Sequence, residues 1–204
     1  MADSVTGPTL LIFIKNPVRG RVKTRLAETA GDDKALEVYQ KLLQITKSVT
    51  DRLEVHREVW YSRFIEQDDI WSGGRYEKKR QRGKDLGGRM KAAFREAFAR
   101  GSGRVVIIGS DCPGLRPPIL RQAFQLLRDH KVVVGPAKDG GYYLLGMAEF
   151  YPALFDRKRW STPAVCEQTI QQLNKMNVSY RLLPELNDID TQQDLEQSQH
   201  LSMQ

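Results

Sequence analysis

Three acids and one basic loop are the residues in this sequence whose types and spacing could do chemistry. Asp111 follows four β-branched apolar residues, Val105 to Ile108, after only Gly109 and Ser110. Asp188 and Asp190 stand on either side of Ile189. Between Lys15 and Leu26 the residues Arg19, Arg21, Lys23 and Arg25 put a cation at every second position, behind Pro17 and around Gly20. An acid where a buried strand leaves the core can hold a divalent cation, and the cation can hold phosphates. The other reading of Asp111 is a cap for the turn Cys112-Pro113-Gly114. Mg2+ (or Mn2+) takes one or two carboxylates plus substrate phosphates, so Asp111 and Asp190 suit one shared ion. Lys23 and Arg25 would then neutralise the charge that develops on a phosphate as it leaves or is attacked. A fourth feature, Asp139-Gly140-Gly141, reads equally as a tight turn and as a place for a general base, Asp139.

These residues need strands and helices to position them, and the pattern supplies both. Short apolar runs bounded by Gly and Pro mark buried strands at Thr9–Ile14, 104–109 and 131–135, with others expected at 58–61, 76–82, 142–147 and 178–183. Helical spacing of apolar residues predicts helices over about 34–49, 86–100, 117–129, 163–176 and 192–201. Their expected starts are Asp32 or Asp33, the Gly87-Gly88 segment, Pro117, Thr162-Pro163 and Thr191. Strands alternating with helices imply an α/β fold with a mostly parallel sheet, and the turn at 139–141 could add one antiparallel strand. In such a sheet the basic loop, Asp111, Asp139 and Asp190 converge on one edge. The whole chain, 1–204, reads as a single domain.

Composition narrows the function classes. The net charge is +7 with a pI near 9.5, but the basic residues crowd into Lys15–Arg25 and Lys78–Arg89 without the aromatic platforms of single-strand binders. A small polyanion is the better partner; a basic nucleic-acid-binding module is the non-enzyme alternative. Cys112 and Cys166 make no disulfide framework and no zinc pattern, and no apolar run reaches membrane-spanning length, so a cytoplasmic protein is expected. Three histidines offer no Ser/His/Asp arrangement. His56, with no partner in view, is expected to be an exposed or edge histidine rather than a ligand, and Trp71 a packing anchor.

Six motifs occur in order: Lys15-x-Pro17-x-x-Gly20-x-x-Lys23-Thr24-Arg25-Leu26, Gln81-x-Gly83-x-Asp85-Leu86-Gly87, Gly109-Ser110-Asp111-x-Pro113, Asp139-Gly140-Gly141-Tyr142, Trp160-Ser161-Thr162 and Asp188-Ile189-Asp190-Thr191. As a set they resemble a bacterial family of GT-A-like nucleotide-diphospho-sugar transferases, described also as glycosyltransferase-like. A more distant similarity runs to phospholactate guanylyltransferase and molybdenum-cofactor guanylyltransferase. The resemblance covers roughly Thr9 to Leu195. It implies a GT-A-like (Rossmann-like) three-layer sandwich and an Mg2+-dependent transferase using a nucleotide-activated donor, most simply a nucleotide-sugar, and a small-molecule acceptor. The alternative is a nucleotidyltransferase that joins a nucleoside triphosphate to a small phosphorylated molecule and releases pyrophosphate. It further implies that Lys15, Gly20, Lys23 and Arg25 form a nucleotide-phosphate loop. Asp111 and Asp190 take the metal positions, with Asp188 a competitor for the second. Gln81 and Asp85 line the base or sugar side, and Asp139, with Gly140 and Gly141, faces the acceptor. The sequence departs from the pattern at Gly88, where relatives often carry an acid, and in lacking a Gly-x-Gly phosphate loop after its first strand.

Overall fold

The computed structural model describes residues 7–156 and 158–198. Its strands are β1 (Pro8–Ile14), β2 (His56–Tyr61), β3 (Glu77–Arg80), β4 (Arg104–Ile108), β5 (Val132–Pro136), β6 (Tyr142–Met147) and β7 (Tyr180–Leu182), all in one sheet of order β3-β2-β1-β4-β6-β5-β7. The helices are α1 (Thr24–Ala30), α2 (Asp32–Thr50), α3 (Leu86–Ala99), α4 (Pro117–Leu126), α5 (Val165–Lys175) and α6 (Gln192–Gln197), with a short 3-10 turn at Pro152–Phe155. Only β6 runs antiparallel, against both β4 and β5, which is the strand expected from the 139–141 turn.

The continuous apolar run of β1 is buried on both faces because helices cover both. Leu10, Ile12 and Ile14 pack with Tyr39 and Leu43 of α2 and with Leu120 and Phe124 of α4. Leu11 and Phe13, one residue out of phase, pack with Met90, Ala93 and Phe94 of α3 and Leu173 of α5. This period-2 split of one strand between two cores makes a three-layer α/β/α sandwich. Register aligns the strand ends: Ile14 sits beside Tyr61, and Ile12 beside Ile108. The carboxyl ends of the central parallel strands therefore open on one edge.

Most expected elements appear, with different bounds at several ends. α1 was not expected: its N-cap is Lys23, which makes no side-chain capping bond, so nothing announces its start. α2 starts at Asp32 behind Gly31 rather than behind Asp32 or Asp33. α5 starts at Val165 instead of at Thr162-Pro163, because Thr162 spends its hydroxyl on the Arg159 carbonyl. Thr191 does cap α6, in a reciprocal capping box with Asp194. Trp71 is buried and meets the Tyr76 ring edge-on at 5.0 Å, as a packing residue.

His56 does have partners. Its Nε2 lies 3.1 Å from Glu77 and 3.3 Å from Glu58, at the amino ends of β2 and β3. Glu58 is fully buried beneath Arg100 and Lys79 and accepts a hydrogen bond from the Trp60 indole at 2.9 Å. Arg100 and Lys79, distant along the sequence, could not be read as partners from the local pattern. Removing Glu58 from this knot leaves Lys79 and Arg100 only their outer partners Glu77 and Glu96, empties a fully buried position and takes the acceptor from the Trp60 indole. Glu58→Ala is expected to cost roughly 3–5 kcal/mol of stability, read from urea unfolding midpoints. A cost below about 1 kcal/mol would show that the knot is well solvated.

Candidate active site

The edge defined by the strand ends is a cleft of two adjoining cavities. One, of about 370 Å3, is lined by Arg25, Asp111, Asp139, Gly141, Trp160, Asp188 and Asp190 among others. The second, of about 460 Å3, is lined by Tyr39, Ser62, Gln81, Asp85, Arg89 and Ser110. Lys15, Leu86, Met90, Gly109, Asp111, Tyr142, Tyr143 and Ser161 face both.

Asp111 sits just past β4, and the distant acids reach it through the backbone. The Ile189 N–H donates to the Asp111 carbonyl at 3.0 Å. The Cys112 thiol donates to the Asn187 carbonyl at 3.4 Å, a second tie one residue along. Ile189 itself is buried among Leu26 of α1 and Ala35, Val38 and Leu42 of α2. With Ile189 turned into that small core, its neighbours Asp188 and Asp190 both line the cleft. The pairing of these distant acids is thus set by the burial of Ile189 and its backbone bond to Asp111, with the Cys112–Asn187 tie and the bridge of Leu186 to Ala137 holding the segment that leads into it.

The basic loop meets these acids one by one. Lys23 is buried, and its Nζ lies 2.5 Å from Asp111 Oδ1. Arg25 Nη1 donates to Asp190 Oδ2 at 3.2 Å. Lys23 holds a left-handed backbone (φ 48°), a conformation that costs a non-glycine residue about 1 kcal/mol or more. Ser161, on the opposite wall of the cleft, is left-handed as well (φ 61°). Lys15 is held at its backbone: its N–H donates to the Tyr39 hydroxyl at 2.8 Å, and that hydroxyl lies within hydrogen-bond reach of the Lys15 carbonyl and of Ser110.

The remaining expected residues divide. Gln81 lines the second cavity, but its amide nitrogen donates to the Ile14 and Trp60 carbonyls at 3.1 and 2.8 Å, so it also ties together the ends of β1 and β2. Asp85 lines the same cavity and caps α3 through the Gly88 N–H at 2.7 Å. Asp139 Oδ1 accepts the Gly141 N–H at 2.8 Å, while Gly140 turns at φ +86° against the Pro163 carbonyl. Gly20 does not line either cavity; it turns the loop beside Asp32.

Trp160-Ser161-Thr162 and Tyr142 had a motif in the sequence but no assigned role in the site, and Met90 belonged to no motif. The signal for Trp160 lay in Gly87: a Cβ there would come within 2.0 Å of the indole, so the absence of a side chain seats the ring on the first turn of α3. Trp160 also stacks on Phe155, centroids 6.2 Å apart. Gly87→Ala should expel the indole. Because Trp60 and Trp71 are buried elsewhere, a red shift of tryptophan emission would report it; unchanged emission would mean the ring is not seated there.

Asp188 carries the electrostatic strain of the cleft. Burial pushes its carboxyl up to about 6; the nearby Asp139 and Asp111 charges add to the rise, and Lys23 opposes it. Excess negative charge on hard oxygen donors fits a divalent cation such as Mg2+ or Mn2+. Among the described residues, the group of three metal-capable side chains with ligand atoms within 4.8 Å of one another is His56, Glu58 and Glu77, not the cleft acids. That group lies at the far end of the sheet and already holds Arg100 and Lys79. The cleft acids could therefore hold a metal as a pair of carboxylates completed by donor phosphates, with Asp111, Asp190 and Asp188 as the available ligands.

The folded pKa of Asp188 lies above its unfolded value of 3.8, so the folded state binds that proton more tightly. In metal-free protein its contribution therefore lowers stability as pH rises from about 4 to about 6, with the full penalty above that range. Asp188→Asn should gain stability relative to the parent across that window, measured by urea midpoints in EDTA; a pH-independent difference would contradict the coupling.

The architecture and the cleft place the chain in the GT-A-like class of α/β transferase folds. Residues 45–162 match the model of the family described as "Uncharacterized protein conserved in bacteria (DUF2064)". The chain belongs to this family. Among solved structures it is similar to a Desulfovibrio desulfuricans G20 protein classed by inference as a nucleotide-diphospho-sugar transferase, with 36% identity and a TM-score of 0.85 over 92% of this chain and 84% of the other. More distant likenesses share the fold. The 4-diphosphocytidyl-2C-methyl-D-erythritol synthase of Anaerococcus prevotii has 11% identity and a TM-score of 0.63 over 97% and 96% of the two chains. The Mycobacterium tuberculosis protein Rv0371c, crystallised with manganese, has 12% identity and a TM-score of 0.58 over 93% and 96%. No curated protein matched the sequence.

Proposed function

We propose that the protein transfers a glycosyl group from a nucleotide-sugar to a small acceptor, with Mg2+ or Mn2+ held by Asp111 and Asp190 beside Asp188. The observation that carries this reading is the bond from Ile189 N–H to the Asp111 carbonyl, which brings two acids to a third beside Lys23 and Arg25. A metal bound there supplies positive charge to the donor phosphates. Lys23, fixed by its buried pairing, and Arg25 at the rim stabilise the negative charge left on the departing nucleotide. Lys15 joins them at the boundary of the two cavities, and Gly20 shapes the loop. The cavity with Gln81 and Asp85 takes the base and ribose; Gly140 and Gly141 fix the turn that faces the acceptor. Asp139 Oδ1 is held by Gly141, so Oδ2 would take the proton from an attacking acceptor hydroxyl.

The acceptor side favours sugar transfer over the nucleotidyl alternative. Its cavity carries Asp111, Asp139, Asp188 and Asp190 against Lys15 and Arg25, a poor place for a second phosphorylated molecule. The nucleotidyl alternative keeps the support of the fold, which it shares with a cytidylyl-type synthase. Nucleic-acid binding loses part of its support because several members of the basic clusters are paired internally: Arg19 with Asp32 and Asp33, Lys23 with Asp111, Lys78 with Asp69, and Lys79 with Glu58, Glu77 and Glu96. No helix among the described residues is long and apolar enough to cross a membrane.

Nucleoside diphosphates and nucleotide-sugars at about 100 times their Kd should raise the melting temperature by roughly 5–10 °C in the presence of Mg2+ or Mn2+. Asp111→Asn and Asp190→Asn should abolish that metal-dependent gain. Equal gains in parent and variants would refute the metal site, and release of pyrophosphate from a nucleoside triphosphate plus acceptor would favour nucleotidyl transfer.

A further inference from the structure

A third cavity lies at the opposite end of the sheet and has a different character. It occupies about 540 Å3 beside Pro8 and Arg104, the first residues of β1 and β4. The length of β1 alone separates it from the cleft by about 20 Å. Arg52, just past α2, and Arg121 and Arg128, on and after α4, join Arg104 around it, with Glu54 as the one lining acid. No ion pair links any of these four guanidinium groups to an acid among the described residues. This sets them apart from the basic loop of the cleft, where Lys23 and Arg25 are paired. Four like charges around one concavity repel one another, and the arrangement is relieved by a bound anion.

Two of the four are already positioned. Arg104 Nη1 donates to the Phe124 carbonyl at 3.0 Å, and Arg121 Nη2 donates to the Arg52 carbonyl at 3.2 Å. Each guanidinium has five N–H donors in a planar fork, so one backbone bond fixes it and leaves others for a ligand. Planar forks converging from several sides suit the oxygens of linked phosphates better than a single carboxylate. The buried Phe124 ring adds an apolar lining on one side. The volume falls in the range that holds small ligands, about 300–1,000 Å3.

We propose that this cavity is a second ligand site, distinct from the cleft, that binds a phosphoanhydride: a free polyphosphate or the triphosphate of a nucleotide. The site stands on the unpaired arginines and the cavity, and does not depend on the reaction assigned to the cleft.

The test is isothermal titration of the full chain with sodium tripolyphosphate and, separately, ATP, both in EDTA so that no metal assists binding in the cleft. The variant Arg121→Gln/Arg128→Gln changes two exposed side chains of the proposed site, and its melting temperature checks that it folds. A control, Lys34→Gln/Lys41→Gln, removes the same charge from α2. One binding event should weaken on the order of a hundredfold in the arginine variant, about tenfold per lost charge-assisted contact, and change little in the control. Tighter binding of ATP than of tripolyphosphate would identify a nucleotide through Phe124, and equal binding a free polyphosphate. Unchanged binding in the arginine variant, or equal weakening in the control, would overturn the site.

Discussion

The candidate site depends on one backbone hydrogen bond, from Ile189 to the carbonyl of Asp111. A parallel sheet brings strand ends to one edge without further help, but the 187–190 segment is not a strand of that sheet. The parallel bridge of Leu186 to Ala137 brings the chain to that edge, and the residues after it need a further hold. Ile189 provides it by burying its side chain between α1 and α2, and the α2 residues that receive it come from a helix already fixed to the sheet through Tyr39 and Leu43. The acids themselves would oppose such an arrangement, since like charges in a partly desolvated cleft repel. Apolar burial of about 1.5–3 kcal/mol for an isoleucine side chain is of the size needed to offset part of that repulsion.

The opposing charges then explain the local strain. Lys23 could reach Asp111 from an ordinary helical start only by another path; instead it adopts a left-handed N-cap and is buried with its charge paired. A lysine taken out of water needs that partner, and the Asp111 carboxylate is compensated by it in turn. Asp188 has no ion-pair partner among the described residues, and burial, with the nearby Asp139 and Asp111 charges, raises its pKa. Of the four acids lining the smaller cavity of the cleft, Asp111 and Asp190 are paired with cations, whereas Asp139 and Asp188 have no ion-pair partner among the described residues, which is the condition in which added positive charge is most welcome.

Much of the frame was legible in the sequence because it rests on local pattern. The buried strands follow from runs such as Leu10–Ile14 and Val105–Ile108, and the antiparallel insertion from Asp139-Gly140. What local pattern could not carry was long-range partnership. His56 reads as solitary until β3 pairs with β2 and sets Glu77 beside it. Tyr39 reads as one apolar position on a helix, although its hydroxyl organises Lys15 and Ser110. α1 escaped notice because a seven-residue helix without a side-chain cap leaves little trace in periodicity. The acids were visible as single residues, and the motif order joined them, but the physical link through Ile189 required the fold.

The antiparallel strand has a consequence for which parts of the cleft move together. β6 lies between β4 and β5, so the turn at 139–141 is rigidly attached to the strand that carries Asp111. That turn is tied to the far wall in two ways: Gly140 packs against Pro163, and its carbonyl accepts the Cys166 N–H at 3.0 Å. Trp160 reaches from the same wall to the start of α3 at Gly87. Asp139, the Trp160–Pro163 wall and the first turn of α3 therefore form one linked unit facing the acidic cluster. The basic loop, by contrast, is tied to the acids by two ion pairs and to α2 by the exposed Arg19 bridges. Exposed ion pairs are weak and easily exchanged. Lys15, Val22 and Lys23 are held by backbone bonds or burial, so any adjustment to an incoming anion is expected in the exposed side chains of Arg19, Arg21 and Arg25, while the 139–141 turn and the Trp160–Pro163 wall keep their shape.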